Sequence, residues 1–226
     1  MTDNNAEPDN LAAYARAQTV LDGYVAQLTH ALNRRVAESG KPVAQAVESA
    51  QLAAHGLAWI ATTAEGLRQL LAWAVARKAS GTLAEADALK LHIGFVEGLA
   101  QALGRMPIGP GEFVGAVEMD AVVAAEAARA DADVRRLILC SDLTAARLRL
   151  AALVANDEGS AASSGVDATL AEIQEQIRRF ASREVAPHAH RWHRHNELIP
   201  RPVLDMMSGL GAVSYSHLTL PTNREV

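Results

Sequence analysis

Three things are scarce in this sequence: cysteine, aromatic side chains and long apolar runs; its 21 lysines and arginines are outnumbered by 26 acidic residues. The single cysteine, Cys140, excludes an internal disulfide and fits a reducing compartment. It sits in the apolar run Leu137-Ile138-Leu139-Cys140, so we expect a buried, inert thiol rather than a nucleophile. Only 4% of residues are aromatic while 50% are hydrophobic, so any core must be built from small aliphatic side chains packed closely. The formal net charge of -5 argues against a general nucleic-acid binder, which needs a basic stripe to replace phosphate counterions. No uninterrupted apolar run approaches the ~20 residues that span a bilayer. The opening Met1-Thr2-Asp3-Asn4-Asn5-Ala6-Glu7-Pro8-Asp9-Asn10 is polar and acidic, unlike a signal peptide. We expect a soluble, cytoplasmic protein with no membrane and no nucleic-acid partner, and a disordered segment over 1–10.

Alanine is abundant, and alanine is the best helix former. Asn10 can cap a first helix over Leu11–Ala37, whose apolar positions Leu11, Tyr14, Ala17, Leu21, Tyr24, Leu28 and Leu32 recur every three or four residues. Gly40 supplies its stop. Pro42 suits the first turn of a second helix that runs to Lys78, roughly 55 Å at 1.5 Å per residue. It has two apolar stripes. One passes through Val43, Val47, Ala50, Ala54, Leu57, Ala61, Ala64, Leu71 and Val75, the other through Leu52, Trp59, Leu67, Leu70 and Trp73. Two stripes predict packing on more than one side, with Trp59 and Trp73 as core or interface anchors. Thr82-Leu83-Ala84-Glu85 has the form of a capping box for a third helix carrying Leu89, Ile93, Val96, Leu99, Ala100 and Leu103. Gly104 to Gly111, with Pro107 and Pro110, reads as a turn or loop. It lacks a lysine at the spacing a phosphate-binding loop requires. Shorter helices follow near Met119–Arg129, Asp131–Leu139 and Leu143–Val154.

Residues 155–167 are small and polar without periodicity, and predict a flexible linker. An amphipathic helix then opens at Asp167 and should bury Leu170, Ile173, Ile177, Phe180 and Val185, with Pro187 interrupting it. Another should start near Pro202 and bury Val203, Leu204, Met207 and Leu210. His188, His190, His193 and His195 lie within eight residues. Metal sites need three or four convergent ligands, and steps of two scatter these rings, so a solvated or substrate-end loop is the expectation. Glu65 and Glu97, on apolar helices, are expected at surface or edge positions. The pairs Arg34-Arg35, Arg135-Arg136 and Arg178-Arg179 read as solvated faces.

The stretch Ile173-Gln174-Glu175-Gln176-Ile177-Arg178-Arg179-Phe180-Ala181-Ser182-Arg183-Glu184-Val185-Ala186-Pro187 resembles the first helix of acyl-CoA dehydrogenases. The following Leu198-Ile199-Pro200 and Val203-Leu204-Asp205-Met206-Met207-Ser208-Gly209-Leu210-Gly211 resemble the link and second helix of that family. The leader segments Gly56-Leu57-Ala58-Trp59-Ile60-Ala61-Thr62 and Glu65-Gly66-Leu67-Arg68-Gln69-Leu70 are similar to the extension of its methylsuccinyl-CoA dehydrogenase subgroup. So are Ile93-Gly94-Phe95 and Pro107-Ile108. Other extended members of the family remain open as relatives.

The resemblance implies an all-α chain: a helical bundle extension over 11–154, then the first helices of an acyl-CoA dehydrogenase N-terminal domain over 168–213. It also implies a parent flavoenzyme, a homo-oligomer, that uses FAD and acyl-CoA. In that family a glutamate removes the α-proton while the β-hydride passes to flavin. The middle and later helical domains do not follow here, so no catalytic, cofactor-binding or metal residue is assigned, and the chain itself is expected to be inactive. Residues 214–226 break the style of the rest and are expected to be non-native; a genuine short β segment is the alternative. A reading from a different class also stands: a non-catalytic helical-bundle interaction module.

Overall fold

The structure, a computed structural model, describes residues 11–109, 112–156 and 167–210. The expected polar start 1–10, most of the expected linker and the tail 214–226 lie outside the described residues, as does the side chain of Cys140. The chain divides into two compact units, 1–162 and 163–226.

The first unit is a helical bundle. Helix α1, Leu11–Val36, buries Ala13, Tyr14, Ala17, Leu21, Tyr24, Leu28 and Ala31 along one face. Steps of three and four put these side chains in one stripe, as its sequence requires. The chain then reverses in a minimal hairpin, β1 Ala37–Glu38 against β2 Lys41–Pro42. Its two turn residues, Ser39 and Gly40, have φ of 51° and 79°. Two left-handed residues are what a tight hairpin with the correct strand twist demands. Pro42 therefore ends a strand instead of opening a helix, which corrects the expectation above.

The expected long second helix is two helices. Helix α2 spans Ala44–Ser49 and α3 spans Gln51–Ala79, with the buried Ala50 between them at φ -113° and ψ 21°. The Ser49 hydroxyl donates to the Gln45 carbonyl at 2.9 Å, a back-bond that competes with helix continuation. Helix α3 packs on α1 on one side and on α4, Glu85–Leu103, on the other. Its buried positions are Ala53, Gly56, Ile60, Ala64, Leu67, Leu71 and Ala74. The second predicted stripe is only half covered: Leu52 and Trp59 are exposed, and Trp73 is partly buried with the Arg77 guanidinium over its ring.

Helix α4 is the centre of the bundle, with α3, α6 and α7 against it. Phe95, Leu91, Leu99 and Leu103 are fully enclosed. Gly98 lets the neighbour come close: a Cβ there would lie 2.9 Å from Leu67 Cδ1. The expected capping box at Thr82 is replaced by another device. The first cap position is Ala84, whose N–H donates to Asp87 Oδ2 at 3.3 Å, and that carboxylate also pairs with Arg77 Nε at 2.7 Å. An alanine has no side-chain acceptor, so only the Asp87 half of a capping box is made. Thr82 instead bonds the Ser80 hydroxyl.

The segment expected as a loop after Gly104 forms a second hairpin, β3 Arg105–Gly109 with β4 Glu112–Gly115. Met106 and Val114 pair and point into the core while Phe113 is exposed, a period-2 alternation too short to stand out among glycines and prolines. Val114 presses on α3 at Gly56, where a Cβ would meet Val114 Cγ2 at 2.6 Å. Helices α5 Val122–Ala130, α6 Ala132–Cys140 and α7 Leu143–Ala155 complete the unit. Asp131 and Asp142 cap the last two by accepting backbone N–H groups.

The second unit begins with α8, Ala168–Phe180, capped by Asp167 through the Leu170 N–H at 2.9 Å. A π turn over Ala181–Val185 joins it to α9, Ala186–Arg194, and α10 follows over Arg201–Gly209. Its core is Phe180, Trp192 and Val203, with Val185 partly buried beside them. Leu170, Ile173 and Ile177 were expected inside but are exposed, as are Leu204, Met207 and Leu210. A few short helices do not enclose enough volume to bury both apolar faces.

Candidate functional site

Three places carry chemistry-bearing side chains: helix α9, a buried seam in the bundle, and a groove between α1 and α5.

Helix α9 is shaped by Pro187. Proline has no N–H, and its ring clashes with the carbonyl four residues back, here that of Arg183. The backbone answers by widening: the Ala186 N–H reaches the Ala181 carbonyl, five residues back. The proline then sits in the first turn of α9, where a donor is not missed. Pro187 thus redirects the helix without ending it. The His188 ring lies 5.6 Å from the Trp192 ring, one turn on. Trp192 is buried, and its indole Nε1–H has no hydrogen-bond acceptor. The helix ends where Asn196 turns left-handed at φ 53° and the Glu197 N–H closes onto the Trp192 carbonyl at 2.9 Å.

The four histidines lie on this helix and its C-terminal cap, not on a loop. His188, His190, His193 and His195 are all exposed. Among the described residues no three of histidine, cysteine, aspartate and glutamate converge as a metal site. The paired arginines beside them are held locally: Arg178 and Arg179 both bond Glu175, whose carboxyl is pulled down to about 2 by these two guanidiniums.

The buried seam was not legible as a site. Tyr14 of α1 and His92 of α4 meet at 2.9 Å between Oη and Nδ1, and both are enclosed. Tyr14 also sets its ring edge-on to Phe95, centroids 5.1 Å apart. Burial pushes the Tyr14 phenol up to about 12 and pushes the His92 imidazole down. Both groups therefore stay neutral across the physiological range, and the pair is a core hydrogen bond and not an acid–base couple open to substrate. One turn along α1, Gln18 Nε2 donates to Asp22 Oδ1 at 2.7 Å and to the Ala64 carbonyl at 3.0 Å. Its Oε1 is buried without a partner. A signal existed: Leu89, His92, Phe95 and Leu99 share one helical phase, so His92 falls on the buried side of α4.

Glu65 and Glu97 lie at the surface, as their residue type favours. Glu65 pairs with Arg68 and accepts from Gln69, and Glu97 takes Arg147 at 2.5 Å. Of the arginine pairs, Arg35 reaches the Glu118 carbonyl and Asp120, and Arg136 reaches Asp133.

The groove has a volume of about 1050 Å³ and an apolar floor of alanines and valines from α1 and α5. Tyr24, Gln27, Arg34, Asp120 and Asp131 supply its polar edge. Asp120 is engaged by Arg35, and Asp131 by the backbone at the start of α6. This surface can receive an apolar face, and it holds no nucleophile beside a base.

Comparison with known proteins bears on both units. Residues 167–219 match the family model "Acyl-CoA dehydrogenase, N-terminal domain". The chain is 40% identical over 193 residues to (2S)-methylsuccinyl-CoA dehydrogenase of Cereibacter sphaeroides, covering 84% of this chain and 34% of the relative. The chain thus spans about a third of that relative's length.

Proposed function

We propose, on the premise that this chain belongs to the acyl-CoA dehydrogenase family through its residues 167–219, that its parent oxidises methylsuccinyl-CoA to mesaconyl-CoA. One observation carries the choice of substrate. The match to the methylsuccinyl-CoA enzyme is longer than everything after residue 166, so it extends into the helical leader. A resemblance confined to the family segment would leave the acyl group open.

In the proposed reaction the substrate loses an α-proton to a carboxylate and a β-hydride to FAD. The described residues do not fit a flavin. The side chains buried within 167–210 are Phe180, Trp192 and Val203, and they enclose one another. The groove of the first unit has its acidic groups already committed. No step of the reaction is therefore assigned to a residue of this chain, which we propose is inactive by itself. Its contribution is scaffolding: a self-contained bundle ahead of the domain that starts at Asp167. The same reading makes the parent a cytoplasmic homo-oligomer that binds acyl-CoA. Among the described residues no helix is long and apolar enough to cross a membrane.

The test is to express the complete reading frame beside the 226-residue chain and assay both with methylsuccinyl-CoA, butyryl-CoA and isobutyryl-CoA. The long protein should be yellow and prefer methylsuccinyl-CoA, and the short one colourless and inactive. Preference for a straight-chain acyl-CoA would sink the substrate assignment. A long protein without flavin would sink the enzymatic reading itself. A second reading, an interaction module, is favoured by the leader's own core and its open groove. It predicts that the 226-residue chain captures a protein partner without any flavin.

A further inference from the structure

We propose that the Tyr14–His92 pair makes the start of α1 an acid-released latch: protonating His92 frees residues 11–17 while the rest of the bundle stays folded. Geometry carries the argument. His92 is 3% exposed, and its Nδ1 lies 2.9 Å from the Tyr14 hydroxyl. In the neutral tautomer that carries its proton on Nε2, the phenol donates to Nδ1. Protonated, Nδ1 becomes a donor. The hydroxyl must then turn its own proton into the apolar shell formed with Phe95.

Among the described residues, the carboxylates of the elements packed on α4 are already engaged or exposed. On α4 itself Asp87 holds Arg77 and Lys90, Glu85 holds Arg149, and Glu97 holds Arg147. On α6 Asp133 holds Arg16 and Arg136, and Asp131 caps the helix. On α3 Glu65 holds Arg68, which also pairs with Asp22 of α1. Beside β3, Glu118 holds Arg105. From α5, Glu126 is exposed and Arg129 donates to the Leu103 carbonyl. Arg136 is near enough to Tyr14 to act on its phenol, and it would repel an imidazolium at the same place.

The opening stops short of Gln18, which is held to Ala64 and Asp22, and of the enclosed Leu21, and Tyr14 is the large buried side chain within 11–17. The other buried hydrophobic positions there are Ala13 and Ala17, which contribute little area. The direction follows from linkage. Burial depresses the docked His92, while a released one titrates normally at about 6.5. The contribution is complete above that value and is lost as pH falls from it towards the docked value. Hydrogen bonding and charge from Arg16 hold Asp133 below its ordinary range, so titration of that carboxylate does not contribute to the change in this window.

The test is hydrogen exchange of the 226-residue chain at about pH 7.5 and about pH 5, corrected for intrinsic rates. Protection of amides 15–21, whose helical acceptors are the carbonyls of 11–17, should fall about tenfold for each unit below the normal histidine value, until the docked form itself protonates. Amides of α3 and α4 should hold, and His92→Gln should flatten the response. Equal falls in wild type and variant, or none in wild type, overturn the latch. If the variant does not fold, NMR titration of wild type decides. His92 should titrate below the ordinary histidine value of about 6.5, and titration at that value rejects the proposal.

Discussion

The two units bury their hydrophobic residues to different degrees although both are built from amphipathic helices. In the bundle, the stripe of α1 and most of α4 are enclosed. In the second unit, α8 leaves Leu170, Ile173 and Ile177 at 50%, 47% and 49% exposure. Helical periodicity is equally clear in both. Amphipathicity states which face seeks a partner, and burial states that one is present.

Substitutions can break this contrast or sharpen it. Phe95→Ala should have the largest effect, costing about 3–5 kcal/mol in urea unfolding, because a fully enclosed aromatic leaves a cavity. Ile177→Ala in α8 should cost less than about 1 kcal/mol, and equal losses at both sites would erase the contrast. Gly98→Ala should cost about 1–3 kcal/mol, since its Cβ runs into Leu67. Gly209→Ala at the end of α10 meets nothing within 4 Å and should stay within about 0.5 kcal/mol. Among caps, Asp131→Ala should cost about 1 kcal/mol of bundle stability. Asp167→Ala should lower the helicity of α8, seen by exchange of its first amides, and leave the bundle midpoint unchanged. The smallest effect concerns Glu175. Its folded pKa, lowered to about 2 by Arg178 and Arg179, should appear in an NMR titration. A depressed carboxylate contributes above its ordinary value of 4.5 and loses that contribution as pH falls towards 2. Because Glu175 and its two arginines pair at the surface, where solvent screens the charges, the unfolding midpoint should barely follow.

The helices were legible wherever a stripe repeated over several turns, as in α1 and α4. Pro42 was misplaced because a proline opens a helix or ends a strand equally well by its own geometry, and Ser39-Gly40 decided the matter. The hairpin at Arg105–Gly115 hid because Met106 and Val114 give only one inward pair. Exposure of Leu204, Met207 and Leu210 was illegible in principle, since it depends on neighbours in space. The Tyr14–His92 seam joins residues far apart in sequence, and only the phase of His92 hinted at it.

Between Phe180 and Val185 the spacing of apolar positions lengthens to five, after the steps of three and four at Leu170, Ile173, Ile177 and Phe180. The π turn is the physical meaning of that stretched step. An unbroken α-helix would bring Glu184 into line above Phe180, and the wider turn substitutes Val185. The helix therefore tolerates one surplus letter by storing it as girth. Removing a single residue between 181 and 184 while Pro187 remains would swing Trp192 off its partners and dissolve the small core it anchors.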